Sequence, residues 1–176
     1  MRAEYMKLKL VLYPDPILRK GCEPVEKVTD DIRELAESML EFMRAENGIG
    51  LAAPQVGKSV SLLVIAYEEE GIEPTALINP RITARSGSVE MNEGCLSFPN
   101  IFAKLTRPEF VTIKALNLEG ENVTIEAEGL FARVLQHEID HLSGVVFIDH
   151  FSPVQKIKWR GALKDLERLY KVGRGV

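Results

Sequence analysis

The chain has 176 residues, 45% apolar and 27% charged, a balance that suits one packed core and is short for two, so a single domain over residues 1–176 is expected. Lys plus Arg number 22 against 26 Asp plus Glu, a net charge of −4, which argues against a general polyanion binder and against sequence-specific nucleic-acid recognition. The longest apolar run, Leu62 to Tyr67, falls well short of the roughly 18 to 20 residues of a membrane span, and Met1 to Leu12 lacks an apolar stretch leading to a cleavage site. With two cysteines, Cys22 and Cys95, there is no disulfide framework, and the expected location is the cytoplasm with both thiols reduced.

In chain order, Thr29, Asp30 and Asp31 offer N-caps, and Ile32, Leu35, Met39, Phe42 and Met43 recur at helical spacing until Asn47 and Gly48, which predicts a first helix. From Ser59 to about Glu128 the texture changes to short, partly alternating runs at 61–66, 110–116 and 122–126, read as strands. Glu119 to Asn122 can turn the last two into a hairpin. After Gly129 helical spacing returns in Leu130, Phe131, Val134, Leu135 and Leu142, with Gly144 as terminator. Ser152-Pro153-Val154-Gln155 reads as a capping box opening a last helix, with Ile157, Leu163, Leu166 and Leu169 as its buried stripe. Helix, strands, helix, helix without βαβ alternation is an α+β order.

The chemistry concentrates in His137-Glu138-Ile139-Asp140-His141. On a helix, His141 lies about 40° from His137 and one turn on, so both rings can reach one ion, and Glu138 lies about 60° from His141, flanking that ion for proton work on a bound water. Leu130 and Val134 precede the histidines on the same face and make an apolar wall around them, whereas two surface histidines would sit among charges.

A catalytic metal needs a third protein ligand and an open position. The metzincin spacing fits through Gly144 but requires a histidine where this chain has Phe147, and His150 falls three residues late. Glu167, on the last helix, is a thermolysin-like alternative. Cys95, in Glu93-Gly94-Cys95-Leu96-Ser97, is the third; a lone cysteine is usually a small buried hydrophobe, but Gly94 and Ser97-Phe98-Pro99 describe an irregular segment in which a thiol can face a ligand. Cys22 has no such company and reads as structural.

Three separated segments, Gly48-Ile49-Gly50-Leu51-Ala52-Ala53-Pro54-Gln55, Glu93-Gly94-Cys95-Leu96-Ser97 and Gln136-His137-Glu138-Ile139-Asp140-His141, resemble in order and spacing the three signatures of bacterial-type peptide deformylase. Tyr13 to Leu18 extends the likeness, which covers nearly the whole chain. The resemblance implies an α+β fold with mixed or antiparallel β-sheets surrounding a central HExxH helix, flanked by an N-terminal and a C-terminal helix. It implies removal of the formyl group from N-terminal formylmethionine of new polypeptides, with release of formate. It further implies Fe²⁺, replaceable by Zn²⁺ or Ni²⁺, on Cys95, His137 and His141, with Glu138 as acid/base. Gln55 and the backbone N–H of Leu96 match the oxyanion donors, Gly50 a backbone position that pairs with substrate, and Arg107 a substrate-proximal arginine, the alternative being a surface charge.

The residues agree with that chemistry: a metal-activated hydroxide would attack the formyl carbon, Glu138 would shuttle its proton, and amide donors would receive the developing oxyanion. Ile49, Met91, Leu130 and Val134 are expected to line a pocket for the methionine side chain, with Phe131 and Arg133 directed elsewhere. The rest of the peptide would add to a sheet edge.

Asn100 stands where many family members carry Gly or Glu, and the acidic turn Glu68-Glu69-Glu70 has no assigned role. From Pro153 to Val176 there are seven Lys or Arg and two Asp or Glu, +5 net against −9 for the rest, which suggests either a solvated helix face or docking to ribosomal RNA. Two competing readings are a zinc endopeptidase using Glu167 and a noncatalytic peptide-binding module that retains a closed structural ion site.

Overall fold

The structure, a computed structural model, describes residues 7–67 and 71–174. The acidic turn Glu68 to Glu70 lies outside the described residues. Among them, helices α1 (Asp30–Ala45), α2 (Gly129–Leu142) and α3 (Pro153–Arg174) accompany strands β1 (Gly50–Ala52), β2 (Leu62–Tyr67), β3 (Ile72–Ser86), β4 (Val89–Cys95), β5 (Phe98–Arg107), β6 (Phe110–Leu116) and β7 (Asn122–Glu128). This is the α+β arrangement expected. One five-stranded sheet runs β1-β2-β3-β6-β7 and a second pairs β4 with β5, every strand pairing being antiparallel.

The period of two explains why Leu62 to Ala66 is continuously apolar. Leu62, Val64 and Ala66 face α1, packing with its Leu35, Ala36, Met39 and Met43. Leu63 and Ile65 face the other way, onto Ala132, Val134 and Leu135 of α2. A strand covered on both faces has no room for alternation. A third cluster, Phe98, Ile101, Ala103 and Leu105 with Val146, Phe147 and Phe151, joins the smaller sheet to Trp159, Ala162, Leu163 and Leu166 of α3.

Helix α2 stops where the sequence suggests. Gly144 adopts φ 75°, its N–H donates to His141 O, and Val145 N–H reaches back to Asp140 O, closing the last carbonyls. A Cβ at Gly144 would lie 2.5 Å from the Arg19 carbonyl oxygen. The cap of α3 forms as read: Ser152 N–H donates to Gln155 Oε1 at 2.8 Å and Gln155 N–H to Ser152 Oγ at 3.3 Å. Its buried stripe is different, because Ile157 and Leu169 are 70% and 67% exposed, and Trp159 and Ala162 join Leu163 and Leu166 against the body instead.

Residues 93–99 close the β4–β5 hairpin: Leu96 and Ser97 turn the chain, Cys95 lies opposite Phe98, and the register shifts between Gly94 and Cys95, so the irregularity read from the sequence is the end of this hairpin. Asn100 takes φ 62°, a left-handed conformation that asparagine, like glycine, tolerates.

Candidate metal centre and active site

Two elements converge to make the site. The β4–β5 hairpin brings Cys95 to the end of its strand, and α2 presents His137 and His141 from successive turns of one face. One ligand atom from each of Cys95, His137 and His141 lies within 4.8 Å of the others, and Cys95 Sγ is 3.2 Å from His141 Nε2. The imidazole rings are 5.0 Å apart at 72°, both buried. Glu167 is elsewhere, accepting a hydrogen bond from the Tyr13 hydroxyl at 2.9 Å.

His137 is oriented from behind. Its Nδ1 lies 2.7 Å from Glu93 Oε1, leaving Nε2 for the site. The Glu93 carboxylate also receives Arg107 Nε at 2.9 Å and its terminal nitrogen at 2.7 Å, plus Arg133 at 2.9 Å. Burial alone would raise the Glu93 pKa, but the hydrogen bonds from His137 and Arg107 and their charges hold it well below the usual carboxylate range. Burial opposes protonation of His137, yet the Cys95 sulfur and the Glu93 carboxylate outweigh it and raise its pKa. His141 is held low by burial and by the neighbouring His137 charge. A soft sulfur and two buried imidazoles fit a divalent transition metal.

Beside these donors, burial pushes the Glu138 carboxyl up to about 7, and its Oε2 is buried without a hydrogen-bond partner among the described residues. Gln55 is fixed at the other side: its Oε1 accepts from Ala52 N–H at 2.8 Å, which turns its Nε2 toward Cys95 Sγ at 3.5 Å and Ser97 Oγ at 3.4 Å. Leu96 follows Cys95 in the hairpin turn. All of this opens on a cavity of about 700 Å³ lined by Ile49, Gly50, Gln55, Leu96, Leu130 and Val134 among others. Gly50 lets β1 pass close to α2, since a Cβ there would sit 2.5 Å from Glu138 Oε1.

Three expectations change. Met91, on β4 opposite Leu105, is not among the residues that line this cavity. Arg107 is not in the lining either; it is neither a surface charge nor a cavity residue, but lies 6% exposed beneath the site, pairing with Glu93 and Asp140. Arg133 does line the cavity and is buried. Its spacing, four residues before His137, already put it on the ligand face. Glu93 had no role in the sequence reading. The signal available was a carboxylate two residues before Cys95, hence on the same strand face.

The family model described as Polypeptide deformylase matches residues 7–157. The chain belongs to the peptide deformylase family. Among curated relatives, the peptide deformylase of Acinetobacter baumannii is 45% identical over 162 residues, 92% of each chain. That of Alkalilimnicola ehrlichii is 45% identical over 168 residues, 95% of this chain and 93% of the relative. Among solved structures, a plant peptide deformylase superposes with TM-score 0.92 at 40% identity, covering 97% of this chain and 95% of that one. The peptide deformylase of Legionella pneumophila gives 0.85 at 40% identity, over 93% and 96%. The fold on which Cys95, His137 and His141 meet is thus a peptide deformylase fold over nearly its full length.

Proposed function

We propose that the protein is a cytoplasmic, metal-dependent hydrolase that removes the formyl group from N-terminal formylmethionine of new polypeptides, yielding formate and a free amine. The observation that carries this reading is the meeting of three ligand atoms within 4.8 Å beside Glu138 and the Gln55 amide on one cavity. Cys95, His137 and His141 would hold a divalent cation, Fe²⁺ as the resemblance to the family implies, with Zn²⁺ or Ni²⁺ as substitutes, and its contribution when bound is Lewis acidity that brings the pKa of water toward neutrality.

The chain's own groups do the rest. Glu138, a carboxyl with pKa about 7, takes a proton from the attacking water and gives it to the departing amine. Gln55 Nε2 and the Leu96 N–H donate to the formyl oxygen as negative charge builds there. The side chains of Ile49, Leu130 and Val134 receive the methionine. Among the described residues strand β1 pairs with β2 alone in its sheet, so its other edge at Gly50 supports a peptide adding as a further strand through main-chain hydrogen bonds. The basic α3, with seven Lys or Arg against two Asp or Glu from Pro153 to Val176, supports docking to ribosomal RNA where nascent chains emerge.

Anaerobically purified protein incubated with formyl-Met-Ala-Ser should release formate, and Glu138→Ala should lower the rate by about 10²- to 10⁴-fold. Absence of formate release from the metal-loaded wild type sinks the proposal. In the same series, Cys95→Ala should lose the metal and Glu167→Ala should keep it, the reverse of what an endopeptidase using Glu167 requires.

A further inference from the structure

The hydrogen bonds behind His137 do not end at Glu93. Arg107 spends two nitrogens on Glu93, and its third donates to Asp140 Oδ2 at 2.8 Å. The same Oδ2 lies 2.9 Å from His150 Nε2. From the surface inward, His150, Asp140, Arg107, Glu93 and His137 thus form one unbroken line of polar contacts, each between opposite or complementary partners. The side chains become progressively drier along it: 39% exposed at His150, 26% at Asp140 and 6% at Arg107.

We infer that His150 is a remote positioning residue for the metal ligand His137, acting through Asp140, Arg107 and Glu93. This rests on the metal reading above. A guanidinium is a rigid planar fork, so fixing one terminal nitrogen on Asp140 fixes the plane in which the other two meet Glu93. The orientation of Glu93 in turn sets the hydrogen bond at His137 Nδ1 and hence the direction of Nε2. Asp140, a quarter exposed, is the link that solvent can loosen, and His150 is what holds it from the outer side.

The ring of His150 is well placed for this. It ends the 3-10 turn Phe147–His150, whose other members are anchored. Phe147 is buried against the aromatic rings of Phe98, Phe151 and His137. Asp149 accepts from Val146 N–H at 3.0 Å and pairs with Arg19. The turn fixes the position of His150 against α2 without burying it.

The test measures Zn²⁺ affinity by competition with a chromogenic chelator, together with kcat and KM on formyl-Met-Ala-Ser. Loss of a direct partner of a metal-binding histidine typically weakens binding 10- to 100-fold; at this remove His150→Ala should weaken it about 3- to 10-fold. It should lower kcat without changing KM. His150→Gln, whose amide can still donate to Asp140, should restore both, and the metal-free melting temperature of His150→Ala should match that of the wild type. Unchanged Zn²⁺ affinity in His150→Ala, or a loss that His150→Gln fails to reverse, overturns the positioning role; the metal reading still stands if Cys95→Ala has lost Zn²⁺. Tight Zn²⁺ binding by Cys95→Ala instead removes the metal reading, and the role of His150 falls with it.

Discussion

Gly50 shows how little space separates the groups of the site. A methyl there would lie 2.5 Å from Glu138 Oε1 and 2.8 Å from Val134 Cγ1, both inside contact distance, and the end of the Glu138 side chain is the easier of the two to displace. Gly50→Ala should therefore lower kcat by roughly 10- to 100-fold, because the carboxyl proposed to transfer the proton is moved from its place. Overpacking should cost only about 1 to 3 kcal/mol of stability. Steady-state kinetics beside urea unfolding separates the two effects. Cys22 offers a contrast with Cys95. Burial, reinforced by the charge of Glu23, pushes its thiol up from 9.0 to about 11, so below pH 9 its thiolate is about 100-fold scarcer than in an unfolded chain. Iodoacetamide should label native Cys22 at least about tenfold more slowly than urea-unfolded Cys22 between pH 7 and 9, as read by mass spectrometry, since the greater nucleophilicity of a higher-pKa thiolate offsets part of its scarcity. Above pH 9 ionisation favours the unfolded chain, so the contribution of this thiol to stability declines as pH rises toward 11.

At the scale of elements, α2 carries most of the proposed chemistry because one helix face holds Leu130, Val134, His137 and Glu138 along the cavity. Val134→Phe should narrow the space proposed for the methionine side chain and raise KM for formyl-methionyl peptides about tenfold, with a smaller effect on kcat, since the change removes binding rather than proton transfer. An unchanged KM would take Val134 out of the pocket. Helix α2 was legible in the sequence because its apolar period, its HExxH spacing and its terminating Gly144 all agree. The β4–β5 hairpin was not, for physical reasons visible in its residues. On β4 the one fully buried side chain is Glu93, so the driest position of the face it shares with Val89, Met91 and Cys95 is a charge, and its partners His137, Arg107 and Arg133 make that burial tolerable. Strand β3 was hidden differently: Pro74 and Pro80 interrupt it, Asn79 sits at φ 50°, and its register shifts twice against β6. The exposed Ile157 and Leu169 of α3 mark the opposite failure, since helical period alone does not say which of two apolar stripes meets the body.

Across the whole molecule, the proposed metal would add a further tie between two layers already joined by the Glu93–His137, Glu93–Arg133 and Arg107–Asp140 contacts. Its sulfur ligand comes from the two-stranded sheet, whose apolar side packs toward α3. Its imidazoles come from α2, which packs on the five-stranded sheet. A cation held by both ties the hairpin to the helix, and because the unfolded chain does not hold the three donors together, binding adds to folding stability by mass action. At a free metal concentration 100 times the dissociation constant this amounts to about 2.7 kcal/mol, which for a chain of this size raises the melting temperature by roughly 5 to 10 °C. Chelation should remove that increment from the wild type, and Cys95→Ala should melt at one temperature with or without added Zn²⁺. Calorimetric scans at fixed protein concentration, with and without chelator, give both values. If chelation leaves the wild-type melting temperature where it was, no cation bridges the hairpin and the helix, however well the three ligand atoms are placed.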